Sequence, residues 1–172
     1  MRGGLLFTKV ALTIVVILIL AGLGCSSPAS SIIFTSDRDG NLEIYSVNSN
    51  GEKLTNLTNT QTHEFAPVLS PNHRLISFLS GVQGNTSVEV MRIDSTERIP
   101  LTERGSEHSS QQWSPFNDRI AYVKKDGSDS YIYMTSVGET KTALLTSIEG
   151  HQVGDWSGDG NSVAFWVVGG SG

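Results

Sequence analysis

The stretch WSPFNDRIAY at residues 113–122 decides the fold, because two related stretches occur elsewhere in the chain. Its counterparts are LSPNHRLISF at residues 69–78 and WSGDGNSVAF at residues 156–165, so successive copies begin 44 and 43 residues apart. Each copy has a bulky apolar residue before a serine, then turn residues, then an apolar run that ends in an aromatic residue. Self-similarity at a fixed interval indicates a repeat architecture.

Three further landmarks keep nearly the same interval. Aromatic residues that end an apolar trio are Phe34, Phe78, Tyr122 and Phe165. Leu-Thr pairs begin at Leu57, Leu101 and Leu145. Bulky residues that mark a further strand are Tyr45, Val90 and Tyr133. Because these unrelated landmarks stay in register to within about one residue, they predict a single structural unit that is repeated along the chain.

Each period is predicted to contain four short strands, because alternating segments are separated by turn residues. In the period that starts near Glu107, these segments are residues 110–114, 119–123, 131–137 and 142–145. Long runs of helix-forming residues are missing after residue 30, which favours an all-β body. Four strands in a period of about 40 to 50 residues is the blade unit of a β-propeller. We therefore predict an all-β, partial β-propeller of four-stranded antiparallel blades.

Alignment of the periods predicts thirteen strands in about three blades, with the chain beginning and ending in mid-blade. Residues 32–58 supply the last three strands of one blade, and residues 65–102 and 109–146 supply two whole blades. Residues 152–168 supply the first two strands of another, which leaves the apolar segment 163–168 at an open edge where another chain could add. This pattern favours a truncated product of a longer propeller, and the alternative is a ring assembled from two copies.

The N-terminus is predicted to be a secretory signal or an apolar anchor helix. Arg2 and Lys9 precede an almost continuously apolar segment at residues 10–20, and small residues lead to Cys25, the single cysteine. A charged opening, a short apolar core and a small-residue exit are the parts of such a signal. Cys25 resembles the lipid-modified cysteine of bacterial lipoproteins, and the alternatives are an uncleaved anchor or ordinary cleavage. All three place the body outside the cytoplasm.

Several segments carry a resemblance to a known repeat family. These are SDRDGNLEIY at residues 36–45, WSP at 113–115, IAY at 120–122 and WSGDGNSVAF at 156–165. They resemble the TolB-type, WD-repeat-like β-propeller family over residues 32–165. The predicted organisation is a signal or anchor at 1–25, a linker at 26–31, and a partial TolB-like propeller at 32–172. Its repeats cover about 32–74, 75–118 and 119–161, with the next starting at 162–172.

The resemblance implies a non-catalytic binding scaffold of the cell envelope, with loops that bind an envelope protein, a peptide or a glycan. It implies neither a cofactor nor an enzyme, and the open edge offers a route to self-association. The alternative is the propeller portion of a prolyl-oligopeptidase-like peptidase whose hydrolase domain lies outside this sequence. The formal net charge of −5 and the lack of a basic stripe argue against a nucleic-acid partner.

The candidate site residues are Glu64, His108 and His151, which occupy one repeat position. In the family that the chain resembles, this position often carries a polar residue near the rim or the central channel. Three such residues could bind a ligand or a metal, since histidine is a common metal ligand. The alternative is a repeated polar contact to neighbouring backbone, which we favour, so no metal ligand is assigned. No catalytic residue is assigned either, because Ser157 is the repeat equivalent of Ser70 and Ser114 and lacks a G-x-S-x-G elbow.

Overall fold

The computed structural model describes residues 31–139, 141–146 and 152–167, which form thirteen strands. The strands are β1 (Ser31–Ser36), β2 (Glu43–Asn48), β3 (Thr55–Asn56), β4 (Glu64–Leu69), β5 (Leu75–Val82), β6 (Asn85–Arg92), β7 (Ile99–Pro100), β8 (His108–Trp113), β9 (Arg119–Asp126), β10 (Asp129–Ser136), β11 (Thr142–Leu144), β12 (Gln152–Trp156) and β13 (Val163–Trp166). Within these ranges no helix could cross a membrane. The predicted N-terminal signal or anchor helix and Cys25 lie outside the described residues.

The strands form four antiparallel sheets in which each strand pairs with its neighbour in the chain. The first sheet is β1-β2-β3, the second β4-β5-β6-β7, the third β8-β9-β10-β11, and the fourth β12-β13. Three, four, four and two strands are the numbers that the repeat predicts, so the all-β class and the four-stranded antiparallel blade are confirmed. We call β4, β8 and β12 the inner strands, because each begins its sheet and contacts the sheet before it.

One sequence landmark is shifted by a residue. In the strand pairs, Phe34 lies opposite Tyr45 and Tyr122 lies opposite Tyr133. Phe78 lies opposite Glu89 and not opposite Val90. Val90 was therefore the wrong counterpart of the two tyrosines. The error arose because an apolar residue stands beside a charged one, and the sequence pattern favours the apolar one.

The Leu-Thr pairs recur because each hydrogen-bonds to the penultimate strand in one of the first three sheets. The amide groups of Leu57, Leu101 and Leu145 donate to the carbonyl groups of Ile44, Val88 and Ile132 at 2.8, 2.8 and 2.9 Å. The hydroxyl oxygens of Thr58 and Thr102 accept hydrogen bonds from the amides of Ile44 and Val88 at 3.0 and 2.8 Å. The pair therefore satisfies backbone groups that would otherwise be left without a partner at the edge of a short strand.

The serine after the bulky apolar residue recurs for a similar reason. The hydroxyl oxygens of Ser70, Ser114 and Ser157 accept hydrogen bonds from backbone amides five residues ahead, at 3.0, 3.0 and 2.9 Å. Each serine thereby braces the turn between the first and second strands of its sheet. Ser157 makes the same contact as its two counterparts, so the repeat position accounts for it.

The cores lie between successive sheets, and tryptophan side chains connect the inner strands. The indole N–H of Trp113 in β8 donates to the carbonyl of Val68 in β4 at 3.0 Å. The indole N–H of Trp156 in β12 donates to the carbonyl of Gln112 in β8 at 3.2 Å. A buried indole usually needs a hydrogen-bond partner, and here the partner belongs to the preceding sheet. The repeated tryptophan thus sets the spacing between inner strands as well as filling the core.

Candidate functional site between the second and third sheets

The sequence-predicted residues lie at one end of the sheets, which we call the hairpin end. Glu64 at the start of β4 pairs with Ser80 near the end of β5, and His108 at the start of β8 pairs with Lys124. The β5–β6 and β9–β10 hairpins turn at this same end. Gly81 shapes the first hairpin, because its φ is 133° and an added Cβ would lie 2.2 Å from the carbonyl oxygen of Asn85.

Glu64 is fully buried and its carboxylate makes only internal contacts. Its oxygens accept hydrogen bonds from Thr60 Oγ1 at 2.9 Å, from Ser80 Oγ at 3.4 Å and from Arg98 Nη2 at 3.0 Å. Burial raises the pKa of Glu64, and the bonds from Arg98 and Thr60 oppose that rise. Glu64 is thus a buried carboxylate held by a cation from the outer part of its own sheet.

Arg98 connects two buried carboxylates. Its Nε lies 2.6 Å from an oxygen of Glu89, and its guanidinium carbon lies 5.1 Å from the ring centre of Phe78. The Arg98 side chain is 29% exposed, whereas those of Glu64 and Glu89 are 0% and 8% exposed. Removal of this cation would leave two buried charges without their partner, which proteins tolerate poorly.

A third buried carboxylate, Glu43, extends the polar cluster into the first sheet. It accepts hydrogen bonds from the amide of Thr60 at 2.8 Å and from Asn41 Nδ2 at 3.1 Å, and the Thr58 hydroxyl also donates to it. Because Thr60 contacts both Glu43 and Glu64, the loop before β4 links the first two sheets. We call Glu43, Glu64, Glu89 and Arg98 the ionic cluster.

His108 lies in different surroundings although it holds the repeat position of Glu64. Its ring is 3% exposed, Nδ1 lies 2.8 Å from the carbonyl oxygen of Thr86, and the ring centre lies 5.5 Å from that of Tyr122. Burial lowers the pKa of His108, and the ammonium group of Lys124 lowers it further. The lowered pKa favours the neutral imidazole, in which Nδ1 donates to the backbone carbonyl of Thr86.

The structure does not bring the sequence-predicted residues together in one site. Glu64 belongs to the ionic cluster, His108 lines a cavity, and His151 lies outside the described residues. In the part of the chain that the structure describes, no group of three His, Cys, Asp or Glu side chains is placed to hold a metal ion.

The cavity beside His108 lies between the second and third sheets and has a volume of about 790 Å³. Two cations line it, Arg104 from the loop after β7 and Lys124 from β9. Neutral donors and acceptors on its walls are Ser87 and Thr142. A cavity of this size with a few convergent polar groups is a candidate site for a ligand.

Sequence reasoning missed Arg98, Arg104 and Lys124. The repeat contained a signal for them, because each stands where the neighbouring period has an uncharged side chain. Arg104 follows Thr60 by 44 residues, Lys124 follows Ser80 by 44, and Arg98 precedes Thr142 by 44. A charged residue at a position that is uncharged in the neighbouring repeat is not needed to form the blade. Such positions are therefore candidates for a functional role.

The TolB beta propeller domain is the family whose model matches the chain, over residues 25–171. Among curated proteins, the protein TolB homolog of Chlorobium luteolum is 28% identical over 137 residues, which cover 79% of this chain and 31% of the relative. The chain therefore spans about a third of the length of the curated relatives that it matches.

Solved structures give the same fold at lower identity. TolB from Acinetobacter baumannii superposes with a TM-score of 0.64 at 13% identity, over 77% of this chain and 35% of that one. A puromycin-hydrolyzing peptidase of Mycobacterium tuberculosis superposes with a TM-score of 0.58 at 12% identity, over 76% of this chain and 24% of that one. At these identities the likeness concerns the fold alone.

Proposed function

Because the chain belongs to the TolB β-propeller domain family, we propose that it is a non-catalytic binding scaffold of the cell envelope. Its partner is an envelope protein or peptide, held at the hairpin end of the sheets. The observation that carries this proposal is the cavity of about 790 Å³ at that end, which is lined by two cations. Loops and hairpins on a rigid sheet scaffold are where propellers and other β-folds place their binding groups.

The location follows from the N-terminal sequence. We propose that residues 1–25 direct export and that Cys25 carries a lipid that anchors the protein at the membrane. Labelling of the full chain with a radioactive or clickable fatty acid tests this. The label is expected on the native chain and absent from Cys25→Ser. Equal labelling of both chains would contradict lipidation, and an unlabelled but membrane-bound native chain would favour an uncleaved anchor.

Site-directed photo-crosslinking tests the binding face. A photoreactive phenylalanine analogue is placed at Val82 in the β5–β6 hairpin, whose side chain is 55% exposed, and the chain is expressed in its host. Phe116 provides a matched control, because it is 60% exposed and lies in the β8–β9 turn at the opposite end of the sheets. We expect a crosslinked envelope protein from Val82 and none from Phe116. Equal yields from both positions would contradict a binding face at the hairpin end.

Self-association through the strand edge is a separate part of the proposal. Trp166 in β13 is 60% exposed, and within residues 31–139, 141–146 and 152–167 β13 pairs only with β12. Exposed strand edges pair readily with other strands. The same photoreactive residue at Trp166 is expected to give a covalent dimer of the chain. Its absence at concentrations where Val82 crosslinks would contradict association through this edge.

A second candidate is the propeller portion of a peptidase, which the likeness to the Mycobacterium tuberculosis peptidase supports at the level of fold. A propeller of this kind would contact a hydrolase domain and not an envelope partner. The crosslinking experiment separates the two, because the Val82 adduct would then contain a hydrolase. Incubation of the purified chain with an active-site serine probe is a further test, and labelling of the chain itself would contradict the non-catalytic role.

A further inference from the structure

We propose that the cavity between the second and third sheets binds a carboxylate group of an acidic peptide segment through Arg104 and Lys124. The proposal rests on the proposed function in one respect, namely that the partner at the hairpin end is a polypeptide. It adds the chemistry of the ligand and the residues that would contact it.

The two cations have no carboxylate partner among the described residues. No Asp or Glu oxygen in ranges 31–139, 141–146 and 152–167 lies within ion-pair distance of Arg104 or Lys124. Arg104 Nη2 donates to Ser80 Oγ at 3.1 Å, and Lys124 Nζ lies 5.5 Å from the ring centre of Tyr133. Both cations therefore keep donors available for an anion that enters the cavity.

Two acidic residues also line the cavity. Glu89 lines the cavity, but its carboxylate is bound by Arg98 at 2.6 Å. Glu103 also lines the cavity and is exposed to solvent, where water screens its charge. Arg104 and Lys124 thus bring two cationic groups to the cavity wall, beside the Glu89 carboxylate that shares Arg98 with Glu64.

The preceding repeat shows what a carboxylate does at this position. Between the first and second sheets, Thr60 and Ser80 donate to the carboxylate of Glu64, and Arg98 neutralises it. One period later, the positions of Thr60, Ser80, Glu64 and Arg98 are held by Arg104, Lys124, His108 and Thr142, which all line the cavity. At these four positions the chain supplies its own carboxylate in the first gap, whereas in the second it supplies two cations, an imidazole and a hydroxyl.

The lining favours a peptide carboxylate over a sugar. A sugar ring would need an exposed aromatic face. The aromatic ring of the lining, Tyr122, is 1% exposed and stacks on Tyr133 with ring centres 6.1 Å apart. The exposed Thr142 can hydrogen-bond the peptide backbone beside the carboxylate.

Calorimetric titration of the full chain with acetylated, amidated triglutamate tests the proposal at low ionic strength. We expect binding, and we expect the double variant Arg104→Gln/Lys124→Gln to weaken it by at least about tenfold, as befits the loss of two charge-assisted contacts. Lys125→Gln is the matched control. Lys125 is the exposed neighbour of Lys124, and it contacts Glu107 at 3.9 Å. This control should bind as the native chain does, and Arg104→Lys/Lys124→Arg should retain most of the affinity.

Several outcomes would overturn the proposal. These are no binding of triglutamate by a folded native chain, an equal loss in Lys125→Gln, or tighter binding of inorganic phosphate or trigalacturonate than of triglutamate. Circular dichroism and the unfolding midpoint of each variant show that a loss of binding does not come from unfolding. If triglutamate fails but the Val82 crosslink to an envelope protein remains, the ligand chemistry is wrong and the scaffold stands. If both fail, the proposed function is wrong as well.

Discussion

The second and third sheets are built on the same repeat, yet at one equivalent position the second buries a carboxylate and the third buries an imidazole. In the second sheet the inner strand begins with Glu64, a buried carboxylate that contacts Arg98 at 3.0 Å. In the third it begins with His108, a buried imidazole that contacts the backbone carbonyl of Thr86 at 2.8 Å. The backbone pairing is alike in both sheets. The repeat thus sets where a side chain lies, and the individual residue decides what that place can do.

The same contrast continues on the next strands. In the third sheet Tyr122 and Tyr133 stack with an interplanar angle of 18°. In the second sheet Phe78 has Glu89 opposite, and Arg98 covers the ring of Phe78 and binds Glu89. An ion pair combined with a cation–π contact replaces an aromatic pair. In the second sheet, Arg98 is therefore paired with carboxylates of the same sheet. Lys124 of the third sheet and Arg104 of the loop after β7 line the cavity instead.

Arg98→Met is expected to give the largest effect, because it leaves Glu64 and Glu89 buried without their cation. Removal of one partner from a buried ion pair costs about 3–5 kcal/mol of unfolding free energy. Urea denaturation followed by circular dichroism measures the loss. The triple variant Arg98→Met/Glu64→Gln/Glu89→Gln should recover part of it, since the uncompensated charges are then gone.

Arg92→Met is the matched control for that prediction. Arg92 pairs with Asp94 at 3.4 Å, and their side chains are 42% and 54% exposed. Exposed ion pairs contribute at most about 1 kcal/mol. If Arg92→Met destabilised the chain as much as Arg98→Met, the ionic cluster would have no special role in the second sheet.

Trp113→Leu is expected to have the next largest effect. This change gives the third sheet the residue that the second sheet has at the equivalent position, Leu69. The change removes the hydrogen bond to Val68 and leaves space in the core around a side chain that is 6% exposed. We expect a loss of about 2–3 kcal/mol in unfolding free energy. Phe116→Leu, at an exposed position, should change it by less than about 0.5 kcal/mol. Equal losses would mean that tryptophan does not hold the inner strands together.

The smallest effects concern pH, and their directions are opposite in the two sheets. Burial raises the pKa of Glu64 above its ordinary value of 4.5, so the folded chain binds the proton more tightly than the unfolded chain. The stability that Glu64 contributes by this route is present below pH 4.5 and lost as the pH rises through its folded pKa. Burial lowers the pKa of His108 below 6.5, so its contribution is present above pH 6.5 and lost as the pH falls through its folded pKa.

Unfolding free energies measured between pH 4 and 8 for Glu64→Gln and His108→Gln test these directions. Glu64→Gln should flatten the profile just above pH 4.5, and His108→Gln should flatten it just below pH 6.5. A profile of His108→Gln that keeps the native slope below pH 6.5 would contradict a neutral buried imidazole. The shape of each profile is the readout, because both substitutions also change absolute stability.

Much of the fold was predictable because its landmarks serve the backbone. The Leu-Thr pair at Leu101 and the serine at Ser114 recur since each closes a backbone hydrogen bond that every blade must make. The ionic cluster and the cavity were not predictable from the same pattern. Arg98 reaches Glu64 across 34 residues and Glu89 across 9, and no periodic signal records which long side chain turns toward which carboxylate. Val90 was misread for the same reason, since Glu89 looks like a surface residue until its partner is known.

The sequence by itself determined the period, the strand count, the antiparallel four-stranded sheet and the equivalence of Glu64 with His108. These features depend on local backbone hydrogen bonds and on the alternation of apolar residues, and the residues responsible for both recur at fixed intervals in the sequence. Only the tertiary structure decided that Glu64 contacts Arg98 of its own sheet, whereas Arg104 and Lys124 line a cavity. Those outcomes depend on distances between side chains from different strands, because electrostatic energy is set by separation and burial in space and not by position along the chain.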